Sequence, residues 1–135
     1  LNIALYKVKK IFLPLIVFLF MGCKNENDLA MERGIQYYEW NMIEKSVIEF
    51  KYVIHSIDIK SKKLDYEEIK LLSRAHYNLA VAYAKKKWYT DAIDEAEKAF
   101  DLSPTDNNKQ VLELIQTKAS QKSESKPTTT DSANR

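Results

Sequence analysis

From Ser73 to Asp106 the apolar and small residues recur at intervals of three and four, in two blocks separated by a short polar break. Ala75, Leu79, Ala82 and Tyr83 form the first block, and Tyr89, Ala92, Ile93, Ala96, Ala99 and Phe100 form the second. Such spacing lays one stripe along each of two helices, so the stretch predicts a helix, a tight turn and a second helix. Ala80 and Ala92 are small where the two helices have to approach, and Leu79, Tyr83 and Tyr89 fill the space around them. Pro104, just after Leu102-Ser103, stops the second helix because its ring cannot continue the backbone ladder.

A weaker copy lies upstream. Gly34 and Tyr37, then Ser46 and Phe50, repeat the order small, aromatic, small, aromatic over Asn27 to about Lys60. Arg33 stands where the second copy has Leu79, no proline closes the unit, and Gly34 and Ala80 are 46 residues apart. The polar stretch from Lys60 to Glu68, KSKKLDYEE, is the expected site of an insertion, as a loop or as overlong helix ends. Asp65 and Glu68 have the spacing of a helix start, with an acceptor at the cap and a carboxylate three residues on. After Pro104, Thr105-Asp106 can cap a fifth helix over Asn107 to about Lys118, with Val111, Leu114, Ile115 and Lys118 on one face. The chain therefore predicts an all-α domain over 29–120. Residues 121–135, rich in Ser, Thr and Lys with Ala133 as the one aliphatic side chain besides Pro127, are expected to be a disordered tail.

The pattern His76-x-x-Leu79-Ala80-x-x-Tyr83, followed by Tyr89, Ala92, Ala99 and Pro104, resembles a tetratricopeptide repeat (TPR). In that family the first helix follows Trp-x-x-Leu-Gly-x-x-Tyr and the second ends in proline; here His76 replaces the Trp and Ala96 a bulky aromatic. A single hairpin cannot bury its own apolar face, so neighbours must stack on it. The resemblance implies a TPR-like α-solenoid of two helix-turn-helix hairpins, about 27–60 and 73–106, plus a C-terminal capping helix. Gly34, Tyr37, Phe50, Leu79, Ala80, Tyr83, Tyr89, Ala92, Ala99 and Pro104 then carry the repeat packing. The family period of 34 puts twelve extra residues into the insertion.

The same resemblance implies a binding face, since the first helix of each pair lines a concave groove in TPR proteins. It places Met31, Ile35 and Tyr38 of the first pair beside Arg74, Tyr77, Asn78, Val81 and Lys85 of the second, facing a protein partner. Tyrosines there supply rigid contact area, and Arg74 can grip a carboxylate with two parallel hydrogen bonds. The chaperone-binding variety of TPR uses a Lys/Asn clamp, which this chain does not match: Met31 and Ile35 stand where its first Lys and Asn would be.

Residues 1–22 have a basic head with Lys7, Lys9 and Lys10, followed by the apolar run IFLPLIVFLFM. Eleven residues are too few to span a bilayer, which takes about 20, and the layout fits a secretory signal peptide. Cys23, the sole cysteine, follows Phe20-Met21-Gly22, which resembles a bacterial lipobox. That resemblance implies a lipidated Cys23 as the mature N-terminus, a tether over 23–28, and attachment to the bacterial cell envelope, on the periplasmic side of the outer membrane. The plainer alternative is a chance cysteine at the end of an ordinary signal peptide or anchor. A free thiol in an exported protein is a liability, and no small-x-small peptidase site follows, both of which favour lipidation.

Charge narrows the partners. With the three lysines of the head removed, 18 basic residues stand against 19 acidic ones, a balance near −1 in place of +2. No basic stripe with interleaved aromatics remains, which argues against nucleic acid. Lys85-Lys86-Lys87 fits the C-terminus of the first helix, where cations are favoured. Two histidines, His55 and His76, and two glycines, Gly22 and Gly34, make no nucleophile–base pair, metal cluster or phosphate loop, so neither an enzyme, a cofactor nor a small-molecule substrate is expected. Both histidines fit structural places in their helices. Asp91, Asp94, Glu95 and Glu97 fit an exposed carboxylate face, not a metal site.

The expectation is a lipid-anchored, non-enzymatic scaffold. Its short tether and enlarged connection resemble a short relative of the TPR lipoprotein of the outer-membrane β-barrel assembly machinery, although that family normally carries about five repeats. A surface lipoprotein binding an external ligand, and a regulator that docks a cell-wall enzyme, are the alternatives.

Overall fold

A computed structural model of the chain describes residues 25–60 and 63–124. They form five helices: α1 (Glu26–Glu39), α2 (Ile43–Asp58), α3 (Tyr66–Lys85), α4 (Tyr89–Leu102) and α5 (Asp106–Glu124). Each helix packs on the next, and α3 also touches α1 and α5, so hairpins α1–α2 and α3–α4 stack and α5 covers the far side. The architecture is an all-α, TPR-like solenoid. The leader 1–22 and Cys23 lie outside the described residues.

The helix starts follow local chemistry. Asn25 caps α1 by accepting from the Asn27 amide at 3.4 Å, and Glu26 and Asp28 favour the positive end of the helix. The helix thus begins inside the expected 23–28 tether, ahead of the apolar periodicity that starts near Leu29. At α3 the Asp65–Glu68 spacing forms a complete capping box. The Glu68 amide donates to Asp65 Oδ1 at 2.9 Å, and the Asp65 amide donates to Glu68 Oε2 at 3.1 Å. This start lies about two turns before Ser73. The insertion is therefore shared between an irregular connection and an elongated α3.

The two hairpins repeat one another at the 46-residue offset. Asn41 and Lys87 are the positive-φ residues of the two turns, at 58° and 62°. The Met42 amide bonds Tyr37 O at 2.8 Å, and its counterpart, the Trp88 amide, bonds Tyr83 O at 3.0 Å. The degenerate first copy therefore has the same turn geometry as the second.

The core has two parts. Ala30, Met31, Phe50, Val53, Ile57, Leu72, Ala75 and Leu79 fill the first, between hairpins, and Ala80, Ala92, Ala96, Val111 and Ile115 fill the second, under α5. Gly34 meets the Phe50 ring, while the matching pair, Ala80 and Ala96, shares the space more evenly. Ala99 is also fully buried, Tyr37, Tyr83 and Tyr89 are half-buried, and Pro104 lies exposed in the connection to α5.

α5 departs from expectation in phase and length. Its buried stripe is Asn108, Val111 and Ile115; Leu114, one position from Ile115 and so about 100° round the helix, is 55% exposed, and Lys118 is exposed. The helix runs six residues past Lys118 to Glu124, so residues 121–124 of the expected tail are helical, while 125–135 lie outside the described residues. Lys122 holds this end down, donating to Lys87 O at 3.2 Å with its ammonium 5.3 Å from the Tyr89 ring centre. Among the described residues no helix is long and apolar enough to cross a membrane.

Candidate functional site

The face formed by α1 and α3 sorts the expected partner-binding residues into distinct groups. Met31 does not belong to it: it is 1% exposed, and its sulfur receives the Asn78 amide at 3.6 Å. The helix phase that turns Gly34 against Phe50 also turns Ala30 and Met31 inward. Arg74 and Lys85 are exposed, and Ile35, Tyr38, Tyr77, Asn78 and Val81 are half-buried.

Ile35, Arg74, Tyr77 and Asn78 come together along one open cavity of about 550 Å³. Tyr38, Val81 and Lys85 are not among its lining residues. Tyr66 and Lys70 do line it, as do Ser103, Thr105, Asn107 and Asn108 of the α4–α5 connection. Sequence reasoning missed these six. The capping box at Asp65 was the available signal for the first two, because a helix starting there sets Tyr66, Lys70 and Arg74 four residues apart on one face.

The floor of this cavity is a buried polar junction. Asn108 Nδ2 donates to Ser103 O at 2.7 Å and Ala99 O at 3.0 Å, and approaches Ser73 Oγ at 3.1 Å. Ser73 Oγ in turn donates to Ala99 O at 2.8 Å. One side chain of α5 thereby adds a donor to the carbonyls of Ala99 and Ser103, which also receive the Ser103 and Thr105 amides, and ties the end of α4 to α3. At the rim, Asn78 donates to Arg74 O at 2.9 Å, and Lys70 stands 4.0 Å from Glu67. The lining holds two cations, Lys70 and Arg74, and no carboxylate. Its chemistry suits an extended chain that presents a carboxylate beside an apolar or aromatic side chain.

The histidines separate. His55 is exposed on α2, against the structural place expected of it, whereas His76 is 7% exposed and inside the α3–α4 crossing. Its Nδ1 lies 2.6 Å from Glu95 Oε2, and Glu95 Oε1 receives Lys98 at 2.8 Å. Burial pushes the Glu95 carboxyl up, but the bonds and charges of His76 and Lys98 outweigh it and hold the group below the usual carboxylate range. Burial, then the negative charges of Glu95 and Asp91, push the Tyr83 phenol up. Glu95 is thus turned inward as a structural partner, while Asp91, Asp94 and Glu97 are exposed. Among the described residues, no three His, Cys, Asp or Glu side chains gather as a metal would require.

The Tetratricopeptide repeat family model matches residues 73–106, the α3–α4 hairpin from Ser73 onward. The repeat and the helical solenoid around it support a role in protein–protein interaction. No curated protein matches the chain.

Proposed function

We propose that the chain is a lipid-anchored, non-enzymatic scaffold of the bacterial cell envelope whose concave face captures an extended segment of a protein partner. The carrying observation is the cavity of about 550 Å³ in which Arg74, Lys70, Tyr77 and Asn78 converge with no carboxylate in the lining. The anchor is supported by the order of basic head, apolar run and Gly22-Cys23. With α1 starting at Glu26, only Lys24 and Asn25 separate Cys23 from the first helix, which keeps the domain against the bilayer. This short tether and the insertion between hairpins also support service as an accessory of outer-membrane β-barrel assembly.

The test is purification of the tagged protein from its own membranes in mild detergent, with mass spectrometry of what accompanies it. A near-stoichiometric β-barrel protein with periplasmic repeats is the expected companion. Its capture should weaken in Arg74→Glu combined with Tyr77→Ala while helicity by circular dichroism is unchanged; undiminished capture moves the site off this face. Cys23→Ala should release the protein into the soluble fraction, and a variant that stays on the membrane ends the lipid reading.

A further inference from the structure

Apart from Tyr66, which also lines the cavity, the connection between the hairpins takes no part in the concave face. Three helix ends meet at this connection. Ser56 near the end of α2 donates to Asn27 Oδ1 at the start of α1 at 2.6 Å, and Lys60 pairs with Glu68 in the first turn of α3. The same end carries two of the most exposed large apolar side chains, Ile59 at 65% and Tyr66 at 75%. Ile59 closes α2 and Tyr66 is the first residue of α3, so both sit at this end of the helices, with Tyr66 also reaching the mouth of the cavity.

Chain continuity names an occupant. Asn25, which caps α1 at this end, is two residues from Cys23, and a chain spans at most about 3.6 Å per residue. A lipid carried by Cys23 would thus be tethered only two residues from this end. An acyl group on Cys23 would bring this end, and not the opposite one, to the lipid. The opposite end carries the two turns, with Trp40, Met42 and Trp88 exposed. α1, 14 residues long, sets the two ends about 21 Å apart.

We propose that the connection end, through Ile59 and Tyr66, is a second bilayer contact that seats the anchored domain on a lipid surface and holds the turn end clear of it. The proposal rests on the reading of Cys23 as acylated. An aliphatic and a tyrosine suit the boundary between acyl chains and headgroups. The exposed charges at this end are of both signs, Asp28, Asp58, Asp65 and Glu67 beside Lys63, Lys70 and Arg74, so the contact rests on the apolar pair and not on headgroup charge.

Trp40 and Trp88 are the only tryptophans in the chain, so the native fluorescence reports the turn end alone. The experiment uses the full acylated protein in phosphatidylcholine vesicles, with the acyl mass on Cys23 measured first. Native emission is expected to be quenched by aqueous iodide and unaffected by brominated acyl chains. In a Trp40→Phe, Trp88→Phe background, Ile59→Trp should reverse this, with brominated chains quenching and iodide several-fold less effective; Tyr66→Trp serves if the first variant does not fold. Native emission quenched by brominated lipid, or reporters at both positions that stay open to iodide on vesicles, overturns the orientation while leaving the anchor intact. A Cys23 without acyl mass overturns the anchor and this proposal with it.

Discussion

Gly34 lies so close to Phe50 that a Cβ on the glycine would stand 2.5 Å from the ring's Cε1 and 2.8 Å from its Cδ1. The second hairpin solves the same crossing with Ala80 and Ala96, one methyl on each side. Gly34→Ala gains helix propensity, by up to about 1 kcal/mol, but must displace a ring that is 1% exposed. Overpacking should win, with a net loss of roughly 1–2 kcal/mol in urea unfolding. Adding Phe50→Ala should abolish the clash, so the double variant should lose less than the sum of the single changes. Strict additivity would remove the contact as the reason for the glycine.

The His76–Glu95 pair should shape the acid limb of stability. The folded-state pKa of Glu95 is depressed, so its contribution is present above the unfolded value, about 4.3, and is lost as pH falls through the lower folded value. Unfolding midpoints of the native protein should therefore drop between pH 5 and pH 3 (~2 units spanning that titration) more steeply than those of Glu95→Gln. Parallel curves would show that the pair adds nothing to folding.

Asn108 bonds α5 to α3 and to the end of α4 through a single buried amide. Asn108→Ala removes these bonds while Ala99 O keeps the Ser103 amide and the Ser73 hydroxyl and Ser103 O keeps the Thr105 amide, so it should cost about 0.5–1.5 kcal/mol. Hydrogen exchange should accelerate most in α5 and least in the α1–α2 hairpin, because solenoid units depend chiefly on their neighbours. Uniform acceleration along the chain would place the loss elsewhere.

Lys87 occupies the left-handed region at φ 62° without being a glycine. A Cβ there costs roughly 1–2 kcal/mol, part of which glycine forfeits through greater freedom in the unfolded chain. Lys87→Gly should raise the unfolding free energy by a few tenths to about 1 kcal/mol. A thermal midpoint that falls would mean that the lysine side chain contributes more than its backbone costs.

Much of the second hairpin was legible because its helices bury alternate stripes of short-range pattern: Leu79, Ala80, Ala92 and Ala99 are all buried. The capping box at Asp65 was equally plain, since both bonds lie within four residues. Met31 was misplaced because a methionine on a first helix has the same spacing whether it faces the groove or the core, and only the stacking of α3 on α1 distinguishes them. Leu114 shows the same limit, because the identity of the buried stripe on α5 depends on where α3 and α4 meet it.

The sequence by itself determined the helical class, the hairpin register and the place of the insertion, because periodicity, caps and small residues act over one or two turns. Tertiary structure alone decided that Asn108 closes the cavity floor from 35 residues beyond Ser73, that Glu95 turns inward to His76, and that the helix ends carrying Ile59 and Tyr66 meet the start of α1 at Asn25. Those relationships join separate helices, and their distances follow from how the hairpins stack, which no local pattern encodes.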